Sequence, residues 1–265
     1  MQTIAMIGSG AIGQAVAGYL AGHPDVDIAV AIAGPGGDAR TRAAFGEAVD
    51  VVGNVDEIAM RVDLAVDCAG HAALRQHGAA LLSRGIDLVS VSSGALADAV
   101  LYDRLAAAAR LGGSQLRIAS GAIGALDALS AASIGALQRV TYRGRKPPQG
   151  WRGSPAESKL DLDSLAEATV HYSGSARNAA LQYPRNANVA ASVALAGIGF
   201  DDTVVELIAD PAVARNIHEI VAEGDFGRLE FRIDGDSLPG NPRSSAITAM
   251  SVVREILNPA SPIVI

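Results

Sequence analysis

The sequence contains one cysteine, Cys68, among 265 residues, which excludes an intrachain disulfide and any cysteine-based metal cluster. Cys68 closes the apolar run "LAVDC", so a buried structural thiol is expected rather than a reactive one, and no metal site is expected elsewhere. Positive charge is also scarce. The 21 Lys and Arg against 28 Asp and Glu leave a formal net charge of -7, the wrong balance for a nucleic-acid surface, with Arg143 and Arg185 left as local anion contacts. There is no apolar run long enough to span a bilayer, and no basic start or cleavage site of a signal peptide. No membrane contact and a cytoplasmic location are therefore expected. Repeats and low-complexity linkers are missing too.

What is present is a globular composition, 49% hydrophobic and 18% charged, with enough chain for two modest domains. From Thr3 to about Ser120, short apolar runs ("TIAMI", "DIAVAIA", "AVDVV", "DLAVDC", "DLVSVS", "QLRIAS") alternate with helical stretches at Ala11–Ala21, Ala39–Phe45, Ala72–Ser83 and Ala97–Leu111. That order predicts an α/β domain of Rossmann type, a doubly wound parallel sheet over residues 1–120. The second half, residues 121–243, reads as an α+β domain with a mainly antiparallel sheet: "LQRVTYRGRK", "AEATVHYSGS", "DTVVELIAD", "NIHEIVAEG" and "GRLEFRIDG" are strand-like. A last helix at about 244–257 is expected to pack back on the first domain. With more sheet than helix to cover it, the second half predicts a homodimer.

The stretch "MIGSGAIGQAVAGYL" sets Gly8, Gly10 and Gly13 directly after the first apolar run. This spacing lets a chain leave a buried strand, turn, and enter a helix whose free N–H groups face a pyrophosphate. The strand–turn–helix context supports dinucleotide binding by these glycines with Ala11 and Ile12 between them. Where a carboxylate would take the ribose hydroxyls of NAD, the second strand ends in Ala33 and Gly34, with Arg40 and Arg42 close behind. NAD or NADP is expected as cofactor. Ala69, Gly70 and His71 lie at the carboxyl end of another strand, where ligands gather in open α/β sheets. Ser120, Gly121 and Ala122 follow "LRIA", where backbone can meet a nicotinamide ring with little side-chain obstruction.

The chain resembles the L-aspartate dehydrogenase family over nearly its whole length. The resemblance rests on "GSGAIG", "DCAGHAALRQHG", "SVSSGALAD", "IASGAIGALDAL", "YRGRKPPQGWRG", "YPRNANVAASVALAGIGFDDT" and "ADPAVARNIHEI". It implies oxidation of L-aspartate through iminoaspartate to oxaloacetate and ammonia, or the reverse, with a place in NAD biosynthesis. It implies His218 as the catalytic residue, and Ala122 and Asn188 as cofactor contacts.

The chemistry asks for such groups. Imine formation and hydrolysis near neutral pH call for a side chain that can hold and release a proton, the task of a histidine. Of five histidines, His23 lies in a turn, His77 in a helix and His171 in an alternating strand. By sequence alone His218 is one more strand histidine, and the family match singles it out. The substrate's two carboxylates need fixed cationic or N–H partners. Lys146 is one of only two lysines; it is either a substrate contact or part of a solvated basic loop. Asn188, at a helix start, is the other substrate contact expected. Two readings compete: a related two-domain reductase of dihydrodipicolinate reductase or homoserine dehydrogenase type, and a non-catalytic NAD(H) sensor.

Overall fold

The structure, a computed structural model, describes residues 1–239 and 241–263. The chain divides into two compact units, one of residues 1–119 with 248–265 and one of residues 120–247.

Unit 1 contains β1 (Gln2–Ile7), α1 (Ala11–Leu20), β2 (Val26–Ile32), α2 (Asp38–Phe45), β3 (Asp50–Val52), β4 (Leu64–Asp67), α3 (His71–Ser83), β5 (Asp87–Ser90), α4 (Ala99–Gly112) and β6 (Leu116–Ile118). The strands form one parallel sheet in the order β3-β2-β1-β4-β5-β6. Ile4 to Ile7 and Leu64 to Asp67 are buried without a break, as a sheet covered on both faces requires. Polar alternation is therefore missing from these strands.

Unit 2 contains α5 (Leu126–Ala132), β7 (Leu137–Lys146), β8 (Thr169–Ser175), α6 (Ala176–Gln182), α7 (Asn188–Ala196), β9 (Val204–Ala209), β10 (Asn216–Gly224), β11 (Gly227–Gly235), and a small ribbon of β12 (Ser237–Leu238) and β13 (Asn241–Ser245). Its main sheet has the order β11-β10-β7-β9-β8. Only β7 and β9 run parallel; the other pairings are antiparallel. Helix α8 (Ala246–Leu257) follows and sets Ala249, Val252 and Ile256 into the core of unit 1 beside Ile4, Met6 and Val66.

Alternation along β7 gives the unit 2 sheet two unlike faces. Val140, Tyr142, Gly144 and Lys146 point to the inner face and are buried, while Arg143 and Arg145 point to the outer one. Helix α7, buried from Val189 to Ala194, packs against α5, α6 and β7. On the outer face Arg143 pairs with Glu206 at 2.6 Å and Arg232 with Glu219 at 2.8 Å. One irregularity breaks the pattern: the β8–β9 register slips between Val170 and Tyr172, so His171 is the extra residue of a bulge.

Candidate active site

The β1–α1 turn forms a tight cradle. Gly8 has φ +95°, and a Cβ there would come within 2.7 Å of Ala69, so only glycine fits. A Cβ on Gly13 would lie 2.1 Å from the Gly8 carbonyl oxygen, whereas one on Gly10 meets nothing within 4 Å. Two of the glycines thus hold the turn shut and the middle one leaves it open. Gly10 is also the N-cap of α1 and supplies no side-chain cap, so the first N–H groups of the helix remain available to an anion. These residues fit a dinucleotide pyrophosphate.

Ser9 sits inside this turn, where its Oγ accepts from Arg40 Nε at 3.3 Å and from Thr41 Oγ1 at 3.2 Å. Arg42, by contrast, donates to the carbonyls of Glu47 and Val49 and is spent on closing α2. Of the two arginines expected near the ribose, Arg40 is the one that reaches the glycine loop.

On the neighbouring strand end, Asp67 is fully buried. Its Oδ2 accepts from the Ser90 and Ser92 hydroxyls at 2.7 and 2.8 Å, and its Oδ1 from the Ala69 N–H at 2.9 Å. Burial pushes its pKa up against these bonds. The carboxyl ties the β4–α3 turn, which carries Ala69, Gly70 and His71, to the end of β5. His71 is the first residue of α3 and Gly70, φ +101°, its N-cap. Cys68 is half-buried rather than fully buried, and burial followed by the charge of Asp67 raises its pKa far above the thiolate range. Ser120, Gly121 and Ala122 form the turn after β6, all partly exposed.

The titratable core of unit 2 lies on the inner face of its sheet. His218 on β10 pairs with Gly144 on β7, and its Nδ1 is 2.7 Å from the Tyr142 hydroxyl. The residue is 4% exposed. Desolvation, then the nearby charge of Lys146, lowers its pKa to about 3, so it is neutral at any working pH. Burial raises the Tyr142 pKa well above its usual value. That hydroxyl keeps its proton and fixes the ring's orientation, leaving Nε2 to meet a ligand or water.

Lys146 ends β7 on the same face, two residues beyond Gly144. It is 5% exposed, not solvated, and burial lowers its pKa to about 8. Its ammonium lies 5.2 Å from the centroid of Trp151. Trp151 is held in turn: its Nε1 donates to the Ile208 carbonyl at 3.0 Å, and it meets His171 edge to face at 4.4 Å. His171 Nδ1 is 3.2 Å from the Tyr183 hydroxyl, which also accepts from Lys159 Nζ at 3.4 Å; Lys159 donates to the His171 carbonyl as well. Desolvation and then the Lys159 charge lower the His171 pKa to about 4.

Asn188 is the first residue of α7 and Ala187 its N-cap. The loop leading to it lies against the Lys146 turn, since Asn186 Nδ2 donates to the Gly150 carbonyl at 3.5 Å. The structure thus gathers Lys146 and His218 on one face and brings the Asn188 loop against the same turn. Sequence reasoning missed Tyr142, Trp151 and Asp67. A strand tyrosine and a loop tryptophan read as core, and Asp67 reads as the polar end of a strand.

Residues 127–259 match the family described as aspartate dehydrogenase, C-terminal. Residues 8–119 match the one described as homoserine dehydrogenase, NAD binding domain. The chain is 56% identical over 250 residues to L-aspartate dehydrogenase of Ruegeria pomeroyi, covering 94% of this chain and 90% of the relative. It is 48% identical to L-aspartate dehydrogenase of Ralstonia nicotianae, covering 98% of each. Among solved structures, that of aspartate dehydrogenase from Thermotoga maritima superposes with a TM-score of 0.79 at 27% identity, covering 100% of this chain and 99% of that one.

Proposed function

We propose that this chain, which belongs to the L-aspartate dehydrogenase family, oxidises L-aspartate through iminoaspartate to oxaloacetate and ammonia with NAD or NADP, and runs the reverse amination when ammonia is plentiful. It is an enzyme with a pyridine nucleotide cofactor. The observation that carries the reading beyond family membership is the buried Tyr142–His218 pair beside Lys146, in a unit with few other reasons to bury three titratable groups on one sheet face.

When bound, the nicotinamide accepts the hydride that leaves Cα. The open space at Gly10 and the uncapped N-terminus of α1 would hold the pyrophosphate, with Ala11, Ile12, Ala69, Gly70, His71 and Ser120 to Ala122 lining the cofactor and Asn188 touching the nicotinamide or a substrate carboxylate. His218 would take the proton of the water that adds to the iminium carbon. Such an adduct is a strong acid, so a weak base suffices, and the dicarboxylate's negative charges raise the ring's basicity once bound. Arg40 with Ser9 and Thr41 would receive a 2′-phosphate, and without a carboxylate to repel it both cofactors are used.

The outer face of the unit 2 sheet, with Val170 and Val204 50% and 38% exposed among ion pairs, supports a homodimer through that face; a monomer mass by light scattering at micromolar concentration would count against it. Among the described residues no helix is long and apolar enough to cross a membrane. A cytoplasmic setting suits the free thiol, and iminoaspartate made there could feed NAD biosynthesis. The deciding experiment is a coupled assay of L-aspartate with each cofactor across pH. Dinucleotide binding without turnover of any dicarboxylate would favour a sensor, and turnover of another substrate in place of L-aspartate would overturn the reading.

A further inference from the structure

Resting on the aspartate-oxidising reading, we propose that Lys146 is the base that takes the proton from the substrate's α-ammonium before hydride leaves Cα. The geometry gives this lysine no structural task. Among the described residues it forms no ion pair and no hydrogen bond, and its Nζ is not one of the fully enclosed unbonded atoms, so it keeps a little contact with solvent. A buried lysine kept only for stability would be expected to pair with a carboxylate. Instead its stem is clasped. A Cβ on Gly150 would stand 3.2 Å from Lys146 Cβ and 3.3 Å from its Cδ, and the Trp151 ring faces the ammonium.

The groups around it are few. On β10 the neighbour is His218, diagonal across Gly144. On β9 it is Ala209, in direct register. Asp210 donates its backbone N–H to the Lys146 carbonyl, but its carboxylate is paired with Arg145. Trp151 itself meets His171 edge to face. No carboxylate among the described residues neutralises Lys146, so burial favours the uncharged amine.

A neutral amine is what the first step needs, because a fixed cation would repel the incoming ammonium. The step balances. An ammonium N–H bond breaks as a new N–H bond forms on Nζ. The freed lone pair then makes the C=N bond while the Cα–H bond breaks, its electron pair leaving as hydride for the oxidised nicotinamide. Lys146 ends as an ammonium, the substrate as an iminium, and His218 serves the water that follows. The two groups are pushed apart in basicity, as a division of labour requires. His218 at about 3 is far too weak to deprotonate an ammonium, whereas Lys146 at about 8 is close to one.

The test compares wild type with Lys146→Met, which keeps the stem against Gly150 and Trp151, and Lys146→Arg, whose guanidinium does not give up its proton. Trp151 is the only tryptophan, so its fluorescence in the substrate-free protein reports the ammonium beside it. The wild type should titrate near pH 8 and Lys146→Met should not. Both variants should lose roughly a hundredfold to ten-thousandfold in kcat for L-aspartate with KM within a few-fold, and added primary amines should restore Lys146→Met in order of their basicity. Lys146→Arg retaining kcat within tenfold, restoration that ignores amine basicity, or a wild-type midpoint near that of a free lysine would each overturn the proposal. A wild type without L-aspartate turnover would overturn the functional reading itself.

Discussion

Placing a side chain on each of two glycines in the β1–α1 turn should separate fold from cofactor binding. At Gly13 the added Cβ of Gly13→Ala lies 2.1 Å from the Gly8 carbonyl oxygen, more than an ångström inside contact distance. Gly8 cannot retreat, because its own Cα faces Ala69 with no room for a methyl. Overpacking of this kind costs about 1–3 kcal/mol, offset in part by up to about 1 kcal/mol from alanine's better helix propensity. A net loss of about 2 kcal/mol lowers Tm by roughly 4–8 °C in a chain of this size. At Gly10 the φ of -78° suits any residue, and nothing lies within 4 Å. Gly10→Val should therefore melt within about 4 °C of wild type, since a glycine N-cap is worth only about 1 kcal/mol over a branched residue. Yet it would fill the approach to the pyrophosphate. Losing one charge-assisted bond from an α1 N–H costs about 1.5–3 kcal/mol, or roughly 10- to 150-fold in affinity. Differential scanning fluorimetry and NADH fluorescence titration measure both quantities. A folded Gly10→Val with undiminished NADH affinity would refute the assignment of this turn.

Arg40→Ala should weaken NADPH binding by about tenfold or more, through loss of a charged partner to the 2′-phosphate, while NADH affinity stays within a few-fold; equal losses by titration would show that Arg40 does not select the cofactor. His218→Ala should reduce turnover by roughly a hundredfold to ten-thousandfold with dinucleotide affinity intact, whereas Asn188→Ala should weaken binding along with turnover; steady-state kinetics and direct titration tell them apart. Acid should destabilise the protein through its buried histidines. The folded-state pKa values of His171 and His218 are lowered to about 4 and about 3, so their contribution is complete above the unfolded value near 6.5 and is lost as pH falls through the folded values. Urea denaturation should show stability dropping below pH 6.5, less steeply in His171→Phe; an unchanged slope in that variant would place the acid sensitivity elsewhere.

The first unit was open to reading because a parallel sheet covered on both faces writes its strands as unbroken apolar runs, and glycines mark the turn where α1 begins. The strands of the second unit were legible one by one, each with its own alternation. Their order was not. That β7 lies between β10 and β9, parallel to one and antiparallel to the other, leaves no local trace, and this order is what sets Tyr142 against His218 across 76 residues of chain. The same holds for "KPPQGW": the prolines announce a loop, but nothing in it says that Trp151 folds back over Lys146 to bond the carbonyl of Ile208.

His171 shows most clearly where pattern reading fails. In a strict period of two, Val170 and Tyr172 share one face and His171 takes the other, so with Tyr172 buried beside Leu207, Val170 would be inside and the histidine outside. The extra residue between Val170 and Tyr172 removes that consequence. Val170 instead lies outside at 50% exposure, while His171 and Tyr172 are both buried at 6%. A bulge is a pairing event, visible only against the partner strand, so no window along "ATVHYSGS" can reveal it. Its effect is nonetheless specific: it swings one imidazole against the ring that faces Lys146, and so joins β8 to the wall of the site that β7 and β10 supply.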